Sequence, residues 1–525
     1  MVVVQGDALA GAHGDSGARR TYAHREIMEI MSGLMLALLT SMISTSVVAT
    51  ALPTIVGEFG AQDQLSWVAS ATLLTMTAST PLWGKLSDLF GRKRMFQLAL
   101  GLFVAASMIA GLSQNMGTLI AARAVQGLGT GGLAALTQVI LGDVVEPRER
   151  GRYSGYIGAV FGVSTVGGPL LGGFLVDTSW LGWRWCFYVC VPLAIVAFAV
   201  IQRVLRLDHE AREARIDWWG AFTLTGGASA LMLMLSFGGH EFEWNSPWAY
   251  GLGAAAAILF GLSVVAERRA ADPILPPRLF RDRTFVLAGT ASLLVGLSMF
   301  GVMVYLPQYL QIVKGMSPTM SGIMTTPLVV SLLVSSIASG RVVTRTGRWK
   351  VFPAAGLLLV AIGTALLSLL HTDSSRLVIG ADIAILGVGL GLSMQVLILA
   401  AQNASHPRDM AVTTSGISFF RNLGGSVGVA ALGAVLTNRV RDEITGMLAA
   451  SRVPVPPGGG LTLGTPEAIG HLPPALQHIV VEAFTRAMQS VFLAGLPAAV
   501  LGFLAVLFLR ELPLRSARTV EAKPE

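Results

Sequence analysis

Runs of roughly 20 apolar residues recur along the chain, separated by short polar stretches. That is the length an α-helix needs to cross about 30 Å of hydrocarbon. Fourteen runs can be marked, near 29 to 54, 65 to 84, 95 to 113, 117 to 141, 153 to 176, 184 to 202, 218 to 238, 247 to 266, 284 to 310, 317 to 340, 350 to 370, 377 to 402, 411 to 436 and 488 to 509. Backbone groups in lipid must be satisfied within their own segment, so each run is predicted to be a helix and the fold class to be an all-α polytopic membrane protein. The polar stretch 1–28 carries Gly6, Gly11, Gly14 and Gly17 and has no short apolar core with a small-residue cleavage site, so it reads as a disordered cytosolic tail.

Composition agrees with this division. Of 525 residues, 53% are apolar and only 13% charged, too few charges to coat a soluble domain of this size. The net charge of +7 could point to nucleic acid, but no Lys/Arg-rich block with interleaved aromatics occurs. The basic residues follow topology instead. With the N-terminus inside, 28 of the 37 Lys/Arg fall on inner segments and 7 on outer loops, which predicts an even number of spans and two cytosolic termini. The ten tryptophans lie near span ends, as an interfacial belt would place them. Cys186 and Cys190 share one apolar run four residues apart and read as packing residues, with no disulfide framework.

Two turns repeat a pattern. Gly84, Leu86, Asp88, Gly91, Arg92 and Lys93 follow the second run, and a degraded copy, Gly340 to Lys350, follows the tenth. Both sit between a second and a third helix, so the chain reads as two homologous six-helix halves, 29–205 and 271–510, with an inserted pair at 206–270 and a cytosolic tail at 511–525. A long outer loop is predicted at 437–487, with a Pro/Gly-rich run from Val453 to Gly460, followed by Pro473 and Pro474.

Four segments now carry a family resemblance: Ala51-Leu-Pro-Thr-Ile, the Gly84 to Arg94 turn, Arg123-x-x-Gln126-Gly127-x-Gly129, and Gly167-Gly-Pro-Leu-Leu-Gly-Gly173. In this order they resemble the major facilitator superfamily, and within it the fourteen-helix drug:proton antiporters of the EmrB/QacA kind, over about residues 29 to 510. The resemblance implies the major-facilitator fold with 14 transmembrane helices arranged 6+2+6. It implies that the Gly84 to Lys93 turn latches the halves together, and that Gly168, Pro169, Gly172 and Gly173 form the antiporter signature of exporters. A tight turn and positive-inside anchor would account for Arg92 and Lys93 without needing Asp88, and close packing alone could need the helix 5 glycines.

Charges at membrane depth are costly and mark function. Three stand well inside predicted spans: Arg123, Asp382 and Arg421. By resemblance Arg123 serves proton transfer or holds helix 1, with Gln126 beside it; a structural donor to carbonyls is the competing reading. Asp382 is the only carboxylate well inside a span, and a desolvated Asp could titrate during transport; a polar residue of an outer vestibule is the competing reading. The family's helix 1 aspartate is replaced here by Ser44, and its helix 2 tyrosine by Thr72. Neutral or anionic hydrophobic solutes are therefore expected over permanent dications; the competing reading is that a carboxylate elsewhere, Asp382 or Glu29, has taken over the role. Met35, Met42, Met76, Phe161, Met299, Tyr305, Gln311, Met394 and Gln395 are candidate cavity-lining residues, adaptable in the case of Met and aromatics.

No nucleophile with its base, no paired histidines and no Gly-x-x-x-x-Gly-Lys-Ser/Thr loop occur, so neither an enzyme, a metal site, a cofactor nor ATP-driven transport is expected. The reading is a proton-coupled exporter of hydrophobic drugs or other small amphipathic compounds, working by alternating access as a monomer in a bacterial inner membrane. Its alternatives are an exporter of one endogenous natural product or lipid, or a facilitated transporter without helix 1 proton coupling.

Overall fold

The computed structural model describes residues 24–59, 65–145, 149–178, 180–205, 217–239, 242–270, 272–316, 318–406, 409–451 and 473–514. In chain order its α-helices are α1 (His24–Phe59), α2 (Leu65–Phe90), α3 (Arg92–Gly111), α4 (Met116–Val144), α5 (Arg150–Asp177), α6 (Trp185–Tyr188), α7 (Cys190–Val204), α8 (Trp218–Phe237) and α9 (Pro247–Arg269). They continue as α10 (Arg283–Ile312), α11 (Pro318–Met324), α12 (Thr326–Thr346), α13 (Val351–Leu367), α14 (Arg376–Ala404), α15 (Met410–Ser451) and α16 (Pro474–Leu507). Eleven helical stretches among the described residues are long and apolar enough to cross a membrane, so this is an all-α, multi-pass membrane protein.

Local chemistry sets the helix ends. Asn115, Ser246, Asp282 and Ser375 cap α4, α9, α10 and α14 by accepting hydrogen bonds from first-turn backbone N–H groups. Gly91, at φ 91°, is the single residue between α2 and α3, a backbone conformation open to glycine and strained for other residues. α6 and α7 are separated only by Val189, with Pro192 in the first turn of α7. α11 and α12 are separated only by Thr325, with Pro327 in the first turn of α12. A proline there has no N–H to return to the preceding turn, so the run breaks without ending.

The predicted loop at 437–487 is helical at both ends, because α15 continues to Ser451 and α16 begins at Pro474. Val440 and Ile444 on one side and Leu476, Val480, Ala483, Phe484 and Ala487 on the other are buried at helical spacing. Arg486 bridges Glu443 and Glu482 across the pair. Charge on the outer face of these turns conceals an apolar stripe too narrow to read as a span. The Val453 to Gly460 run and the 1–23 tail lie outside the described residues.

Among the described residues, buried apolar side chains separate into two large cores and a small cluster of Ala78, Ala228 and Phe419. One is drawn from Ile27 to Leu205, the other from Ile274 to Leu514 with Leu224 added. The cores meet where α5 packs on α12 and where α2 and α4 pack on α15. α9 rests on α8, and α8 rests on α2 and α15. Leu112, Val163, Phe174, Ile195, Ile258 and Leu377 are exposed on the outer faces, where lipid would be the solvent. Three tryptophans depart from the predicted belt: Trp83, Trp183 and Trp349 are buried, with indole N–H groups donating to Leu128 O, Glu58 Oε2 and Leu512 O. Burial of a Trp requires a partner for its N–H, and each has one.

Candidate functional site

The first candidate site is a buried polar chain crossing four helices. Arg123 on α4 is 3% exposed and donates from Nη1 to Gln126 Oε1 at 2.5 Å and from Nε toward Val68 O of α2 at 3.5 Å. Gln126 Nε2 donates to Ser107 Oγ of α3 at 2.8 Å and to Ser44 Oγ of α1 at 3.1 Å. Thr72 of α2 donates to the carbonyl of Arg123 at 3.1 Å. The structure thus brings Ser44, Thr72, Arg123 and Gln126 together, and Arg123 reaches α1 only through Gln126. No carboxylate lies in this chain among the described residues, so a buried cation is held by neutral acceptors alone. Ser107, which completes the Gln126 amide, has no motif to announce it.

Around the turn after α2, Arg92 is the hub. It reaches Asp88 at 2.6 Å, Asp143 of α4 at 2.8 Å and Ser87 Oγ at 2.8 Å. Burial pushes the Asp88 carboxyl above its ordinary value, against the pull of Arg92. Lys93 donates to Gln202 O of α7 at 2.7 Å. All of these partners lie on α2, α4 and α7 of the first half, so Asp88, Arg92 and Lys93 stiffen that half internally. Contact with the second half is made by other residues of the same turn. Gly84 abuts Ser415 and Ala411 of α15, and Lys85 lies 3.6 Å from Asp272 in the α9–α10 connection. A β-carbon on Gly84 would sit 2.7 Å from Ser415 Cβ and 3.1 Å from Ala411 O. Sequence reading singled out Gly84 but missed Lys85, Asp143, Ser415 and Asp272, whose partners are far away in the chain.

On α5, Gly168 and Gly172 lie against α1, facing Ser46 and the Val47–Thr50 turn, and Gly173 faces open space. Pro169 lies within the helix between them.

Between the two cores lies a cavity of about 40 Å³. Phe161, Met299, Met394, Gln395 and Arg421 line it, joined by Gln138 and Met303, which sequence reading missed. A second space of about 20 Å³ adjoins it, walled by Gln138, Gly142, Ser339, Gln395 and Gln402. Each has room for a water or two, far below the few hundred Å³ that encloses a drug-sized ligand, so this conformation is closed around its centre. Other expected lining residues serve elsewhere. Met35 and Met42 pack against the first core, and Tyr305 is buried with its hydroxyl donating to Val429 O. Asp382 is 7% exposed on α14 and is brought to neither Arg123 nor Arg421. Glu29 is exposed and pairs with Arg25 at 3.1 Å.

Comparison with known proteins places these features in context. The Major Facilitator Superfamily profile matches residues 34–429. An MFS-type transporter of Mycobacterium tuberculosis is 39% identical over 92% of this chain and 70% of its own length. The multidrug transporter protein MdtP of Bacillus subtilis is 34% identical over 93% of this chain and 94% of its own. Among solved structures, the human organic anion transporter MFSD10 (TETRAN) matches with a TM-score of 0.60 at 14% identity, covering 90% of this chain and 99% of that one, a likeness of fold.

Proposed function

Because this chain belongs to the Major Facilitator Superfamily, matched over most of its length, we propose that it exports hydrophobic and amphipathic compounds by alternating access, driven by protons. It is a transporter, not an enzyme. Joining α6 with α7 and α11 with α12 as interrupted spans makes fourteen crossings in a 6+2+6 order, with halves at 29–205 and 271–510 and the pair 206–270 between them. The Lys/Arg asymmetry supports cytosolic termini and a cytosolic Gly84 to Lys93 turn in a bacterial inner membrane. The bilayer and a small hydrophobic substrate are its partners, and a monomer suffices for the cavity.

The observation that carries this reading is the cavity between the two cores, mixed Met, Phe and Gln in its lining and contributed to by both halves. A site shared by two packed bodies is exposed to one side or the other as they rock. The helix 5 glycines support the direction of transport: Gly168 and Gly172 bring α5 against α1 without a spacer, which suits the sliding contact an exporter's signature segment would make. Similarity to a multidrug transporter supports hydrophobic drugs as substrates and a part in antibiotic resistance.

Ser44 favours a second reading of the energy source. With no carboxylate in the Arg123 chain, proton coupling falls to Asp382, or transport is facilitated. Expression in an efflux-deficient bacterium tests the proposal. Accumulation of a hydrophobic fluorescent dye should fall and should recover on adding a protonophore. Accumulation unchanged by the transporter across neutral, anionic and cationic dyes would refute export, and insensitivity to the protonophore would refute proton drive.

A further inference from the structure

At the foot of α8 and α9 two carboxylates converge. Asp217 caps α8, its Oδ1 accepting from Gly220 N at 2.8 Å. Glu267, in the last turn of α9, is 5% exposed, and its Oε2 accepts from Leu275 N at 3.1 Å. The second oxygen of each, Asp217 Oδ2 and Glu267 Oε1, is buried and has no hydrogen-bond partner. Both point at the same spot over Gly220. A β-carbon there would lie 3.1 Å from Glu267 Oε1 and closer still to Asp217 Oδ2, so both oxygens border the space that the missing side chain of Gly220 leaves open.

Buried acceptor atoms are rarely left unpaired, and a buried carboxylate facing a second one ionises only at a cost. The charged groups facing them are few. Lys85 of α2 acts on Glu267 from outside the pair while engaging Asp272, and Arg268 and Arg269 on α9 are exposed. Among the described residues no group of three or more metal-ligating side chains occurs, which argues against a multivalent ion that would require more oxygens.

We propose that Glu267 takes up one proton and presents it toward Asp217 Oδ2, forming a proton site that joins the inserted helix pair to the Lys85 contact of the turn after α2. On binding, one proton from water converts two facing carboxylates into a carboxyl group donating to a carboxylate. On release, the pair gains one negative charge beside Lys85. Through that charge the site tightens the Lys85 side of the contact when deprotonated and relaxes it when protonated. This does not depend on what the protein transports.

The test is the thermal stability of the full chain in lipid nanodiscs from about pH 4 to about pH 8, which spans the range from an ordinary carboxylate's titration to neutrality. Loss of the proton leaves two facing charges, so stability present at low pH is lost as pH rises, by at most about tenfold in the unfolding equilibrium per pH unit for one proton. Wild type should show this fall. Glu267→Gln and Asp217→Asn each remove one charge while keeping shape, and should flatten it. Lys85→Met touches neither carboxylate and should move the fall to higher pH, because a nearby cation favours proton release. Should the carboxylate variants fail to fold, Lys85→Met in otherwise native protein still decides. A slope retained in both carboxylate variants, or a fall that Lys85→Met leaves in place, overturns the proposal. So does recovery of high-pH stability by sodium but not by choline, which would make this a metal-cation site.

Discussion

Replacing Gly84 by alanine should open the face of the protein that the turn after α2 closes. In the closed conformation the new β-carbon would lie 2.7 Å from Ser415 Cβ and 3.1 Å from Ala411 O. The first distance is well inside ordinary carbon–carbon contact, and the second atom is backbone on a packed helix, so neither neighbour can swing aside. α2 and α15 must separate by several tenths of an ångström. Overpacking of this kind costs about 1–3 kcal/mol, and it acts on the closed conformation alone, because the helices part in the open one. A penalty of that size shifts a two-state equilibrium by about 5- to 150-fold. Cysteine labelling of α15 near Ser415 in inside-out vesicles, with and without substrate, reads the shift directly. Gly84→Ala should raise the labelling rate and lower turnover, and the second change Ser415→Gly should restore both by removing the opposing Cβ and Oγ. If Gly84→Ala left labelling and turnover at wild-type levels, or if Ser415→Gly failed to restore them, the contact would be incidental and the gate would lie elsewhere.

Four further outcomes are expected. Gln126→Leu leaves Arg123 buried without its best acceptor and should cost about 1–3 kcal/mol, seen as a lower midpoint of thermal unfolding. Arg92→Ala strips the shared partner from Asp88 and Asp143 and should lower stability as well as transport, whereas adding Asp143→Asn should recover part of the stability but not the transport; equal stability of Arg92→Ala and wild type in nanodiscs would exclude the hub role. Asp382→Asn should flatten the pH dependence of transport in vesicles, and an unchanged profile would leave Asp382 without a role in coupling. Ser44→Asp places a carboxylate within the Gln126 and Arg123 chain and should add transport of cationic dyes; no gain over wild type would show that charge at this position does not select substrates.

The run length of apolar residues and the positive-inside pattern made the helices legible, because lipid permits few other backbone structures. Their ends were harder. Proline and single-residue breaks at Val189 and Thr325 interrupt helices inside apolar runs, the helical stretch 437–451 carries Arg439, Arg441, Asp442 and Glu443, and the stretch 474–487 extends α16 beyond the length of one span. Motifs drew attention to Arg123, Gln126 and Gly84, and these lie at buried or cross-half positions. Their partners were not legible. Ser107, Asp143, Ser415 and Asp272 acquire meaning only from packing that brings distant segments together. Asp88, Arg92 and Lys93 read as a unit with Gly84, yet their geometry ties them to their own half, and the glycine and Lys85 reach across. Asp217 and Glu267 belong to no motif, and only packing brings their unpaired oxygens to Gly220.

Purified protein reconstituted into liposomes with an imposed pH gradient tests the central claim most directly. Uptake of a neutral or anionic amphipathic dye into the lumen should require protons flowing in the opposite direction, should stop when the gradient is collapsed, and should weaken in Gly84→Ala. Dye movement that ignores the gradient would contradict proton-driven export, and absence of movement under any gradient would contradict transport of such compounds altogether.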